Sequence, residues 1–292
     1  MNQASIHTQS TTQPLYRRAC ALALVMSTTF APALSSAAVF PGLIGRTMLP
    51  FTPPPGMLPG NYSVAYGNAT IDRNAGTNYM TITQNQGDKV IINWDSFNIG
   101  SNATVRFFQG AGTPNTSGWK PNSNSVALNR IGNLDPSAFK QSVINGSLIA
   151  DGKVYLINRN GVFFGPNAKV QVQSLVASAF DISDDNFKKG LLVFKDDHFD
   201  GDPADIDNST TISNEGTITA NNGGSVFFVG PRVQNLGKIS APGGKINLVG
   251  LTANGQVEIK EITETRDPQD GIYADTSQAG DVANMKGGTL LG

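Results

Sequence analysis

Cysteine is all but missing from this chain: Cys20 is the only one in 292 residues. That excludes a small secreted domain stapled by disulfides. Histidine is nearly as scarce, at two, and charged residues make up only 15%. The formal net charge is −1 and no basic stripe is visible, which argues against a nucleic-acid partner. Beyond residue 38 no apolar run approaches the roughly 20 residues that a membrane-spanning helix needs. Glycine is abundant, at 32, alongside Asn, Ser and Thr. With Val, Ile, Leu and Phe in regular clusters, this mixture favours many short strands joined by turns over helix or disorder.

The first 38 residues stand apart. Arg17 and Arg18 precede an apolar stretch from Ala19 to Met26, and small residues end it at Ser36-Ala37-Ala38. This is the pattern of a secretory signal peptide cut after Ala38. Cys20 lies at the start of the apolar run, where a lipoprotein cysteine would follow it. Arg17 and Arg18 are the only charges up to Ala38, so the remainder has 19 Lys and Arg against 22 Asp and Glu, a net of −3. An exported chain with no cysteine left suits a bacterial protein that crosses an outer membrane unfolded.

Residues 39 to 60 are rich in Pro and Gly and read as an extended, unpacked lead-in. From Asn61 the texture changes to strand-sized runs, Ser63 to Tyr66, Ala69 to Asp72, Tyr79 to Thr83 and Lys89 to Asn93. Residues 110 to 124 read as a long loop, and 135 to 143 as one or two helical turns capped at Asp135. The stretch KVYLINRNGVFFGPNAKV, 153 to 170, sets the polar tetrad Asn158-Arg159-Asn160-Gly161 between two apolar bursts. Such a stretch fits either an antiparallel hairpin or one coil of a solenoid.

An internal repeat decides between them. Gly216, Ile218 and Ala220 recur 21 residues later as Gly237, Ile239 and Ala241. Val226, Phe228 and Gly230 recur 20 residues later as Ile246, Leu248 and Gly250. A third copy places Gly146, Leu148, Ala150, Gly152, Val154 and Leu156 likewise. A period near 20 residues with two short strands per unit predicts a parallel β-helix with alternate residues pointing inward, and stacked Asn side chains can bond coil to coil. About 190 residues at ~20 per coil give about nine coils.

The segments VIINWDSFNIG (90 to 100), SVALNRIGNLDPS (125 to 137), 145 to 183 and 214 to 250 resemble the N-terminal secretion domain of the filamentous haemagglutinin family, the exoproteins of two-partner secretion. The motif N-W-x-S-F-N-I-G is intact from Asn93 to Gly100. The motif N-P-N-G appears as Asn158 to Gly161, with Arg159 in place of proline, and the 110 to 124 loop is longer than usual for the family. The resemblance implies an all-β, right-handed parallel β-helix over 61 to 250 with short capping strands at its N-terminal end. It also implies an address label read by the periplasmic domains of an outer-membrane transporter, and a product that is secreted or held at the cell surface. Asn93, Trp94, Phe97, Asn98, Asn158, Asn160 and Gly161 become the candidate recognition and folding residues. Family members continue past the point where residues 251 to 292 end, so little or no passenger is expected here.

Nothing in the sequence points to catalysis. The strands carry no paired carboxylates of the kind that β-helical lyases or glycosidases need. His198 lies among Asp196, Asp197, Asp200, Asp202, Asp205 and Asp207, but the spacing lacks the closing Glu of an EF-hand and reads as a solvated acidic excursion. No cofactor and no metal are expected. Trp119 in the long loop is a candidate sugar platform, which keeps a carbohydrate-binding or cell-binding surface adhesin as the alternative to a secretion label.

Overall fold

The computed structural model describes residues 51–74, 76–132, 140–195, 209–252, 255–259 and the strands at 272–274, 281–284 and 289–291. The signal segment 1–38, the first part of the lead-in, most of the expected helical turn at 135–143 and the acidic stretch around His198 lie outside the described residues.

Two long antiparallel strands open the domain, β1 (Tyr62–Arg73) and β2 (Tyr79–Trp94). The four short runs expected from sequence merge into these two. Gly67 and Gly87 do not end strands; each takes φ 77, and the chain passes through as a bulge or bend. The bend matters at Gly87, because the halves of β2 pair with different strands and begin two faces of the coil.

The first coil is β2. The second is β3 (Thr104–Ala111), β4 (Lys120–Pro121), β5 (Val126–Ile131) and β6 (Ser142–Ile144). The third is β7 (Ser147–Ala150), β8 (Lys153–Ile157) and β9 (Val162–Phe164). The fourth holds β10 (Lys169–Val172) and β11 (Ser174–Ser178), then leaves the rod through α1 (Asp184–Lys189) and β12 (Leu192–Lys195), and returns as β13 (Thr211–Asn214). The fifth is β14 (Thr217–Ala220), β15 (Val226–Gly230) and β16 (Arg232–Asn235). The sixth is β17 (Lys238–Ser240) and β18 (Ile246–Gly250), an excursion through β19 (Gln256–Ile259) and β20 (Ile272–Ala274), and β21 (Asp281–Asn284); β22 (Thr289–Leu291) begins a seventh.

Three faces result. β2, β3, β7, β10, β14, β17 and β22 stack as the first, β2, β5, β8, β11, β15 and β18 as the second, and β6, β9, β13, β16 and β21 as the third. This is the parallel β-helix that the repeat predicts, and the hairpin reading of 153 to 170 is excluded, since β8 and β9 each pair in parallel with neighbouring coils. Among the described residues, six coils and the start of a seventh replace the expected nine. Described residues outside the coils form the β1 cap, the β4 extension, and the α1, β12, β19 and β20 elements. At ~4.8 Å per rung the stack is about 30 Å long.

The repeat appears in the pairing: Ile218 sits on Ile239, Phe228 on Leu248 and Gly230 on Gly250. One whole coil, β10 and β11, lies between the third sequence copy and the others. Its inward column is Val170, Val172, Leu175 and Ala177, all buried. Its corner is the single residue Gln173 where its neighbour uses Asp151-Gly152, so it lacks the glycine that marks the other copies.

The second face is covered on its outer side. Outward-pointing Ile91, Leu128, Tyr155 and Val176 are as buried as the inward residues. The covering layer is α1, with Phe187 edge-on to Tyr155 at 6.2 Å, and the antiparallel sheet β12-β19-β20. Ser183 caps α1, accepting from Asn186 N, and Gly190 ends it in the left-handed region. Arg130 on β5 anchors the layer. It donates from Nε to Asp181 Oδ1 at 2.9 Å and pairs with Asp184 and the Ile182 carbonyl. Burial pushes the Asp181 carboxyl up from its ordinary range, while Arg130 and the Ile182 N–H oppose that shift.

Candidate functional site

The candidate residues fall into two segments more than 50 positions apart in sequence, and the coil brings both onto one strand. β2 carries Asn93 outward and Trp94 inward. Trp94 is fully buried, its indole Nε1 donates to Asn129 Oδ1 at 3.0 Å, and its ring meets Phe97 edge-on at 5.3 Å and Tyr62 at 5.5 Å. Trp94 and Phe97 therefore plug the N-terminal end of the core. Asn98 is 6% exposed and accepts from Val143 N at 2.8 Å, and Ile99 bridges to Ile144. These contacts hold β6 from its N-terminal side.

The tetrad holds β6 from the other side. Asn158 is 1% exposed; its Nδ2 donates to Lys140 O and Ser142 Oγ, both at 2.9 Å, and its Oδ1 accepts from Asn160 N at 2.9 Å. Gly161 N donates to Asn158 O at 2.8 Å and Ser142 N donates to Gly161 O at 3.1 Å. Gly161 has φ 90, and a side chain there would come within 2.3 Å of the Thr211 carbonyl oxygen, so the turn needs glycine. With Arg159 in the usual proline place, the turn keeps the bonds from Asn160 N and Gly161 N to Asn158. Asn160 is half-buried. Both motifs thus clamp β6, a strand that the sequence pattern places partly in a helical turn.

Two further groups lie outside the candidate residues. One is the lead-in, which is packed, not loose: Gly60 N donates to Ser96 O, Gly100 N to Met57 O and Asn102 N to Pro55 O, and Pro53 and Pro59 are buried. It runs along the 95 to 102 segment and seals it. The other is the buried amide stack. Asn214 Nδ2 donates to Asn235 Oδ1 at 2.8 Å, and both side chains are fully buried. Gln109 Nε2 reaches Gln84 Oε1 at 3.3 Å one coil below, and its Oε1 accepts from Gly152 N at 2.9 Å one coil above. The coil-to-coil amide bonding expected from the Asn-rich turns occurs at these positions. Asn93 Oδ1 is buried without a hydrogen-bond partner among the described residues.

Trp119 is not a free platform. The 110 to 124 segment is an antiparallel extension in which β4 pairs with the end of β3. The Trp119 ring stands edge-on to Phe108 at 5.9 Å, and its Nε1 donates to Asp151 Oδ2 at 3.3 Å. Among the described residues no group of three or more His, Cys, Asp or Glu is placed to hold a metal ion.

Beyond this geometry, the chain matches the model of the TPS secretion domain over residues 61–288. The chain belongs to the TPS secretion domain family. That family is a transport-recognition domain of two-partner exoproteins, not a catalytic one. Two heme/hemopexin-binding proteins of Haemophilus influenzae are similar to it. One is 36% identical over 42% of this chain and 11% of its own length; the other, from strain ATCC 51907 / DSM 11121 / KW20 / Rd, is 32% identical over 59% and 19%. The TPS domain matched here thus spans less than a fifth of those relatives. The crystal structure of the HMW1 secretion domain from Haemophilus influenzae superposes with a TM-score of 0.57 at 28% identity, covering 78% of this chain and 52% of that one. No helix among the described residues is long and apolar enough to cross a membrane.

Proposed function

We propose that this TPS domain is the secretion label of an adhesin-type exoprotein, engaged in the periplasm by an outer-membrane two-partner transporter and folded into its β-helix at the cell surface. The observation that carries this is the family match over residues 61–288, from the β1 cap through the sixth coil. Unfolded, the chain offers strand-forming segments that can add to an exposed sheet edge of the transporter. Outside, each coil buries its apolar rung on the one before it, and the stacking favours outward movement of the residues still to cross.

Asn93, Trp94, Phe97, Asn98, Asn158, Asn160 and Gly161 serve this task in two ways. Trp94, Phe97, Asn98, Asn158 and Gly161 are buried and set the fold, together with the half-buried Asn93 beside Trp94 on β2. Asn160 keeps its backbone bond whatever its side chain, so its amide is the group available to a partner. The test is release of a tagged chain into the medium in cells carrying the transporter, measured beside the stability of the purified variants. Asn158→Ala lowers both, costing on the order of 1–3 kcal/mol for the orphaned partners. Asn160→Ala lowers release at unchanged stability. Wild-type release by Asn160→Ala would confine the tetrad to a folding role.

A further inference from the structure

A trough runs along the corner between the first and second faces, over the second to fifth coils, with a volume of about 380 Å³. That lies within the ~300–1,000 Å³ typical of small-molecule sites. Its floor is the outward row Arg106, Ile149 and Gln171, which the strand register stacks rung on rung. Its wall is the corner row Asp151, Gln173 and Asn221. The excursion after β3 closes one end with Pro121. Asp151 fixes that end: it pairs with Arg106 and accepts from Gln109 N at 3.2 Å and from the Trp119 indole at 3.3 Å.

We infer that this trough binds an extended, uncharged oligosaccharide lying along the rod axis. Among the described lining residues the charged ones are Arg106 and Asp151, which neutralise each other, so the lining favours no ion. What it presents instead is three carboxamides on two adjacent rungs, Gln171 and Gln173 on the fourth coil and Asn221 on the fifth, with the Ser123 hydroxyl nearer the closed end. An amide both donates and accepts, which matches hydroxyl groups that do the same. The rungs repeat every ~4.8 Å, close to the advance of one sugar unit in an extended chain. The Trp119–Phe108 pair packs behind Arg106 and Asp151, and Trp119 is a positioning residue that acts through Asp151. This activity is separate from secretion.

The test is titration of the purified secreted chain with cellotetraose, maltotetraose and chitotetraose, followed by amide chemical shifts in NMR. Saturable binding of at least one is expected, with shifts confined to the trough. Gln171→Ala and Asn221→Ala each weaken it about tenfold, and Thr217→Ala, on the outer row away from the trough, leaves it unchanged. Both trough variants are released like the wild type, so failure here and failure of the secretion reading are told apart. No saturable binding of any of the three sugars, or binding indifferent to both trough variants, overturns the inference.

Discussion

The first and second faces of this coil share a parallel register, and the same rungs build both, yet their outer sides meet different surroundings. On the first face β10 and β14 alternate, with Lys169, Gln171 and Thr217 exposed and Val170, Val172 and Ile218 buried. On the second face β5 is buried at every position, and β8 and β11 at all but their first. The difference is the layer of α1, β12, β19 and β20, present over one face and absent from the other. A bare β-helix face tolerates a polar outer side. A covered one demands apolar residues on both sides and makes any charge there dependent on its partner. Arg130 is that case: it sits on an outward rung beneath the layer and is matched by Asp181 and Asp184.

The largest way to break this contrast is to remove Arg130. Arg130→Met leaves Asp181 buried and unpaired, and urea denaturation should show a loss of about 3–5 kcal/mol. Adding Asp181→Leu to that variant should recover most of the loss. Leu128→Ala, outward on the second face, should cost about 2–5 kcal/mol, a core-sized penalty for a residue that a bare face would expose. Asn214→Ala, in the third-face amide stack, should cost about 1–3 kcal/mol by leaving Asn235 and Gly216 with lost partners. Thr217→Ala on the bare first face should stay within about 0.5 kcal/mol. If Leu128 and Thr217 behaved alike, the covering layer would contribute nothing in solution.

The sequence displays what repeats and hides what does not. Ile218, Ile239, Phe228 and Leu248 announce the coil because inward residues on adjacent rungs must match in size and spacing. β10 and β11 escape the repeat because their one-residue corner at Gln173 carries no glycine. The covering layer has a signal that the alternating pairs obscure: VII (90 to 92), VYLI (154 to 157) and LVA (175 to 177) are continuous apolar runs, which mean burial on both sides. The meeting of Asn98 and Asn158 on β6 is not legible, because it depends on which strands become neighbours once the excursions are set aside. The lead-in looks loose because Pro and Gly suppress regular strands, although its backbone groups still find partners on the 95 to 102 segment. Trp119 stands out in its polar loop, but its edge-on packing depends on β4, a two-residue strand too short to recognise.

The measurement closest to the central claim is the partition of a tagged full chain between periplasm and medium, with and without a two-partner transporter in the outer membrane. The account predicts release into the medium only when the transporter is present, with the released chain folded and resistant to protease. Equal release without the transporter, or retention in the periplasm with every matched transporter supplied, would contradict it.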